Sequence, residues 1–271
     1  MKYQVYTPSA GLQPFVKCFW SLDDEKQDEP VKQRVLPDGC MEMIFHYGDL
    51  YQQYFEDGSS IIQPRSFVFG QITKYIEIAP TAKSGIISAR FLPDGISPFL
   101  SMPLKSLDNR AVSIRDIFGD DGEKLEEKVI NANDNQERIQ LIETFLLSKL
   151  TEQKTIDAIT KSCVDIIFQS QGQIGLADLA DKMNLHRRNM ERKFISAIGM
   201  SPKQLTRVAR LQATLKMLEQ KNSTTLTEIA YESGYYDQAH FIKDFREFTG
   251  MSPKSFFADN LKLSSLFIHA D

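Results

Sequence analysis

The 271-residue chain reads as an α+β multidomain protein: a β-rich N-terminal half, a helical segment, and an all-α C-terminal domain of two helix-turn-helix units. Three observations predict this. Short β-branched and aromatic runs punctuated by Gly and Pro fill residues 1–120. Apolar residues recur at helical spacing from about residue 121 onward. The pentapeptide Gly-Met-Ser-Pro-Lys occurs twice, at 199–203 and 250–254, an offset of 51.

Composition limits the function classes. With 42% hydrophobic and 25% charged residues, the chain has the make-up of a soluble globular protein. No apolar run reaches membrane-spanning length, and "MKYQVYTPSA" lacks the layout of a secretory signal, so a cytoplasmic protein without a membrane partner is expected. Cys18, Cys40 and Cys163 are odd in number and far apart, which argues for reduced thiols over disulfides or a zinc site. Charge is uneven. Residues 1–171 hold 18 Lys/Arg against 25 Asp/Glu (−7), whereas 172–260 hold 13 against 10 (+3). Within 182–210, eight basic residues accompany one acidic residue, Glu191. Such a stripe can attract phosphates, although solvated charged faces are common.

Residues 1–120 form the expected β domain. "CMEMIFHY" alternates Met41, Met43, Phe45 and Tyr47 with Cys40, Glu42, Ile44 and His46, the period of a strand with two unlike faces. "SIIQPRSFVFG", "KYIEIAP" and "SGIISARFLP" supply further strands, and "LPDGC" and "LPDGI" supply turns. A succession of short strands suggests a sandwich or barrel. The expected core includes Met41, Met43, Phe45, Tyr47, Phe67 and Phe69.

Residues 121–171 read as a helical linker and dimerisation segment. Ile139, Ile142, Leu146 and Leu150 make one amphipathic stripe, and Ile156, Ile159, Cys163 and Ile167 another. A homodimer through the first stripe is expected, and "QSQG" at 169–172 reads as the link to the last domain.

The repeat carries 172–260, leaving 261–271 as a tail. "NMERKFISAIGMSPKQL" (189–205) lies over "HFIKDFREFTGMSPKSF" (240–256), pairing Met190 with Phe241 and Phe194 with Phe245. With a one-residue slip upstream, Ala180 meets Ala230, and Asn184 meets Gly234 at the turn. Thr225 and Glu228 have capping-box spacing. Gly199 and Gly250 end the second helices, and Pro202 and Pro253 open the next ones. "PKQLTRVARLQATLKMLEQ" (202–220) is the helix joining two units at 174–199 and 225–250. At about 1.5 Å per residue it spans roughly 28 Å.

These paired units, with "RLQATLKML" and "IAYESGYYDQAHFIKDFREFTGMSPKSF", resemble the AraC/XylS family of bacterial transcription regulators. The resemblance covers roughly 90–100 residues and is specific, because two units around one helix have few imitators. "FVKCFWSL", "VLPDGCMEMIFHYGD" and "ARFLPDGISPFL" look like the cupin-like N-terminal domain of one branch of that family. The resemblance implies sequence-specific regulation of transcription, with double-stranded DNA as partner through its major groove. RNA polymerase is a further partner if the protein is an activator. Control would come from a small-molecule effector or from dimerisation through the N-terminal domain.

The reading residues are those opposite the buried stripe of each second helix. In the first unit they are Arg187, Arg188, Glu191 and Arg192; in the second they are Gln238, Ala239, His240 and Lys243. Matched one at a time, the family's base-contacting positions fall on Arg188, Glu191, Arg192, Gln238, Ala239, His240 and Lys243. Arg can bond guanine bidentately, Gln can bond adenine and Glu can accept from cytosine; an arginine on phosphate only positions the protein. His186 replaces the usual Ser-like cap of the first unit, whereas Asp237 caps the second. Lys203, Arg207 and Arg210 are expected near phosphates or solvent.

Enzymatic alternatives are weaker. Cys40, Glu42 and His46 share one strand face and could bind metal, but a half-buried strand with an incidental thiol is the better explanation. No HxH cluster, Gly-rich phosphate loop or nucleophile elbow is present. Alkylated-DNA repair methyltransferases carry the same paired units but use a Cys in a Pro-Cys-His-Arg context, which "DGCME" and "VKCFW" lack. No catalytic residue, metal or cofactor is expected. An N-terminal metal-binding or enzymatic domain fused to a DNA-binding module remains the alternative. Phe19, Trp20, Arg34, Glu42, His46 and Arg90 are the candidates to line an effector pocket, and the sequence does not choose among them.

Overall fold

The computed structural model describes residues 2–25, 31–150, 156–220 and 225–258; the expected tail at 261–271 lies outside them. In chain order the strands are β1 (Lys2–Tyr6), β2 (Val16–Asp24), β3 (Gln33–Val35), β4 (Glu42–His46), β5 (Tyr51–Tyr54), β6 (Ser60–Ile62), β7 (Ser66–Phe69), β8 (Ile76–Pro80), β9 (Ser84–Phe91) and β10 (Ala111–Ser113). They build a six-stranded sheet in the order β1-β2-β9-β4-β7-β10 and a four-stranded sheet in the order β3-β8-β5-β6. The strand pairings in both are antiparallel.

The alternation in "CMEMIFHY" sorts the two faces of β4. Met43 and Phe45 point into the main core with Phe91, Ile87 and Leu107. Glu42, Ile44 and His46 line a cavity on the opposite face, which residues of the four-stranded sheet help to close. The larger sheet is thus buried on both sides, with polar side chains among those on the cavity face.

Helices α1 (Ile114–Phe118), α2 (Asp120–Asn131) and α3 (Asn135–Lys149) cover the first of those faces. α2 touches β4 and α3 touches β9. Asp134 starts α3 by accepting from Glu137 N at 2.9 Å. This corrects the expected linker and its dimer face. Ile139, Ile142 and Leu146 are at most 3% exposed, and Leu150 packs against the same cluster. The stripe is spent on the β domain's own core and offers no surface to a second chain. The next helix, α4 (Ala158–Gln169), goes the other way, packing on the helical domain through Cys163, Val164 and Ile167. An amphipathic pattern states that a face is buried, not against what.

The C-terminal domain comprises α5 (Leu176–Lys182), α6 (Arg187–Ile198), α7 (Pro202–Gln220), α8 (Leu226–Glu232), α9 (Gln238–Thr249) and α10 (Pro253–Ala258). It has two cores, one per unit. Met190, Phe194, Ile198 and Leu205 gather with α4; Leu211, Leu215, Phe241 and Phe245 gather around Ile229 and Tyr235.

The two halves are in contact. Leu36, from the β domain, belongs to the second unit's core. Gln212 Nε2 donates to Pro37 O at 2.6 Å, Arg34 Nη1 to Thr249 O at 3.0 Å, and Tyr75 N to Phe248 O at 2.9 Å. Gly250 both ends α9 at φ 70° and seats Tyr75: a Cβ there would lie 2.4 Å from the ring's Cε1. Only glycine meets both demands.

Candidate nucleic-acid interface

Each unit is a short helix, a tight turn and a longer second helix. The turns need positive φ, supplied by Asn184 at 49° and Gly234 at 75°. Ala180 and Ala230 are buried where the two helices of each unit cross. Capping differs between units. In the second, Thr225 and Glu228 close a full capping box, and Asp237 accepts from His240 N at 2.7 Å to start α9. In the first, His186 occupies the cap position of α6 and makes no side-chain cap bond. Both second helices end on left-handed glycines, Gly199 at φ 87° and Gly250 at φ 70°.

Burial sorts the faces as the repeat implies. Met190 and Phe194 are 1% exposed, and Phe241 and Phe245 0%. Arg187, Arg188 and Arg192 are exposed and Glu191 is half-buried; Gln238, Ala239, His240 and Lys243 are all exposed. Glu191 does not face outward alone, because Arg187 Nε pairs with its Oε1 at 3.1 Å. Among the described residues, that leaves Arg188 and Arg192 as the cations of the set on α6 without an ion-pair partner. On α9, Gln238 Oε1 accepts from Thr227 Oγ1 at 3.1 Å, which orients the amide from α8. Tyr236, 86% exposed just before α9, is a residue the sequence pattern did not single out.

Two basic residues leave the expected surface. Arg207 is clamped: Nη2 reaches Asp244 Oδ1 at 2.9 Å and Glu247 Oε2 at 2.7 Å, and the guanidinium lies 4.7 Å from the Phe248 ring centre. Its hydrogen bond to Glu247, then those to Asp244, hold the guanidinium above its usual pKa, and the same bond holds Glu247 below the usual carboxylate range. Arg210 Nη2 donates to Gly172 O at 2.7 Å and stands 5.3 Å from the Tyr235 ring. Neither is free for phosphate. Their partners lie 37 and 38 residues away, beyond the reach of a helical pattern. Lys203 remains exposed.

The first reading face also has a neighbour. Arg188, Glu191 and Arg192 line a groove whose other wall is formed by Ser101, Met102 and Lys105 of the β domain.

The candidates for an effector pocket separate. Trp20, Glu42 and His46 line the cavity between the sheets, whereas Phe19 is buried in the opposite core. Arg34 lies at the domain junction with Glu77 and Thr249. Arg90 is buried with Asp38 and Glu42 and lines a cleft between the two halves. Cys40, Glu42 and His46 do not form a ligand set: among the described residues no three His, Cys, Asp or Glu side chains are grouped to hold a metal ion. Burial pushes the Cys40 thiol up to about 11, away from the reactive thiolate.

The chain is similar to several known proteins. A family model described as a helix-turn-helix domain matches residues 179–259, and a domain of unknown function (DUF6597) matches residues 4–113. An uncharacterized HTH-type transcriptional regulator of Haemophilus influenzae is 30% identical over 133 residues, covering 47% of this chain and 44% of its own. The HTH-type transcriptional activator RhaS of Pectobacterium carotovorum is 30% identical over 83 residues, 31% of this chain and 29% of its own. The chain thus spans less than half the length of the curated relatives it matches. Among solved structures, ToxT from Vibrio cholerae is similar with a TM-score of 0.49 and 10% identity, over 89% of this chain and 98% of that one. Two helix-turn-helix units around one connecting helix, matched by that model and by those regulators, show that the C-terminal part of this chain belongs to the AraC/XylS family.

Proposed function

We propose that the protein is a bacterial, cytoplasmic transcription regulator that reads double-stranded DNA through the major groove, under control of its β domain. One observation carries the reading: each unit fixes its second helix by a buried aromatic or Met pair and exposes polar reader side chains on the first two turns opposite it. Arg188 and Arg192 are the readers suited to guanine, and Gln238 the one suited to adenine, with His240 and Lys243 beside it. α7, 19 residues long, joins the units so that the two helices address one side of the duplex. The names of the matched relatives, an HTH-type regulator and an HTH-type activator, support the same role.

Selection of bound fragments from a random library by the full chain, followed by titration across salt concentrations, tests this. The expected outcome is an enriched motif with two halves about one helical turn apart, and log affinity falling linearly with log salt. Absence of an enriched motif, or affinity indifferent to salt, would overturn it. Control by the β domain is supported by the direct contacts of Leu36, Arg34 and Tyr75 with the second unit.

A further inference from the structure

The two units differ by one residue at the approach to their second helices. In the first, the positive-φ turn residue Asn184 is followed by Leu185 and then by His186 at the cap position of α6. In the second, Gly234 is followed by Tyr235, Tyr236 and then the cap residue Asp237. The backbone shows which residue is the extra one. Leu185 N donates to Ala180 O at 3.0 Å, and Tyr235 N makes the same bond to Ala230 O at 2.9 Å. Leu185 packs on the first unit's core and Tyr235, 3% exposed, on the second's, so these two correspond. Tyr236 is therefore the insertion behind the one-residue slip in the repeat.

The inserted side chain points away from the protein. Tyr235 is turned inward, its ring 5.3 Å from those of both Phe241 and His240. Tyr236 is 86% exposed, more than any other large apolar side chain among the described residues. A single surface tyrosine is ordinary. The place of this one is not, because it stands immediately before the cap of the helix whose first turn carries Gln238, Ala239 and His240. In a helix-turn-helix, that end of the second helix enters the groove, so residues flanking it run alongside the sugar–phosphate backbone.

The charges around it show what the insertion supplies. The first turn of α6 presents Arg187 and Arg188, and the aligned positions of α9 hold Gln238 and Ala239. The cap residue of α9, Asp237, adds a carboxylate at the same end. The second unit thus lacks, at its entering end, the cations that can anchor the first unit to phosphate. A tyrosine provides a neutral anchor: its hydroxyl donates to a phosphate oxygen while its rigid ring packs on the adjoining deoxyribose. Base reading fits the position poorly, since Tyr236 precedes the helix and the residues that project at base edges.

We propose that Tyr236 is a DNA-backbone contact of the second unit, its hydroxyl donating to a phosphate beside the groove that α9 reads. This rests on the reading of the protein as a DNA-binding regulator. A neutral donor releases no counterion, so the contact fixes register without adding to the salt dependence of binding.

The test uses the full chain and the DNA sequence that it selects. Tyr236→Phe, which keeps the ring, is expected to weaken binding roughly fivefold, and Tyr236→Ala roughly twentyfold. Neither variant alters the enriched motif. Neither alters the slope of log affinity against log salt, which loss of a lysine–phosphate contact would reduce by about 1. Methylphosphonates, each removing the charge of a single phosphate, locate the contact. At one position beside the second half-site the substitution weakens wild-type binding but leaves Tyr236→Phe binding almost unchanged. Equal affinity in both variants, a changed motif, a reduced salt slope, or no phosphate coupled to the hydroxyl would each overturn the proposal. Should Tyr236→Ala not fold, Tyr236→Phe decides alone. A wild-type chain that binds no DNA overturns the regulator reading, whereas variants that bind as tightly as a binding wild type overturn this contact only.

Discussion

The two helix-turn-helix units share a backbone plan and differ in what secures it. In the first, α6 begins without a side-chain cap, and its reading face carries exposed arginines, one of them tied to Glu191. In the second, α8 has a capping box, α9 is capped by Asp237, and Arg207 ties α7 to both Asp244 and Glu247. The far end of α9 is held as well, through Tyr75 and Arg34 of the β domain. The first unit thus keeps its cations for a partner, whereas the second spends a nearby cation on itself. Charge on the surface and charge in the scaffold compete for the same residue type, and the location of the carboxylates decides the outcome.

The strongest way to break this contrast is Arg207→Ala. It leaves the 8%-exposed Asp244 without its guanidinium, and removing one partner of such a pair destabilises by about 3 kcal/mol. Denaturant unfolding of the full chain should show that loss, and an unchanged midpoint would mean that the clamp is incidental. Next comes Arg192→Ala, which is expected to weaken binding by about 1–3 kcal/mol and to relax specificity in one half of the selected site only. Footprinting decides it, since a uniform loss over all sequences would assign Arg192 to phosphate. Lys243→Ala should act on the other half, with a smaller effect because Gln238 and His240 remain beside it. Removing the cap in Asp237→Ala should reduce stability by about 1 kcal/mol. The reverse change, His186→Ser, supplies the first unit with the missing cap and should raise stability by roughly 0.5–1 kcal/mol. If both cap variants leave unfolding unaltered, the two units do not differ in how firmly their helices start.

Much of the C-terminal domain was legible because its signals are local. Thr225 with Glu228, Asp237 before α9, Gly199 and Gly250 after the second helices, and Pro202 at the start of α7 each act within one helical turn. Alternation in β4 likewise separated Met43 and Phe45 from Glu42, Ile44 and His46. Long-range partners were not legible. The stripe at Ile139, Ile142 and Leu146 announced a buried face but not that β9 lay beneath it. Arg207 and Arg210 look on sequence like Arg188 and Arg192, and only the fold brings Asp244 and Gly172 to the former pair. Nothing in "RVLPDGC" told that Leu36 would leave its own domain's core. His46 was one of six pocket candidates, and its burial against Tyr51 and Phe67 emerges only in three dimensions.

Leu36 has a consequence for how such proteins are assembled and taken apart. A residue of the first half completes the core of the second, so the seam between them is not a clean place to cut. Excising the helical domain removes a side chain from the cluster around Phe241 and Phe245 and exposes apolar surface where Leu36 was. A chimera that grafts this β domain onto another pair of helix-turn-helix units must carry a matching recess for Leu36 and a glycine to receive Tyr75.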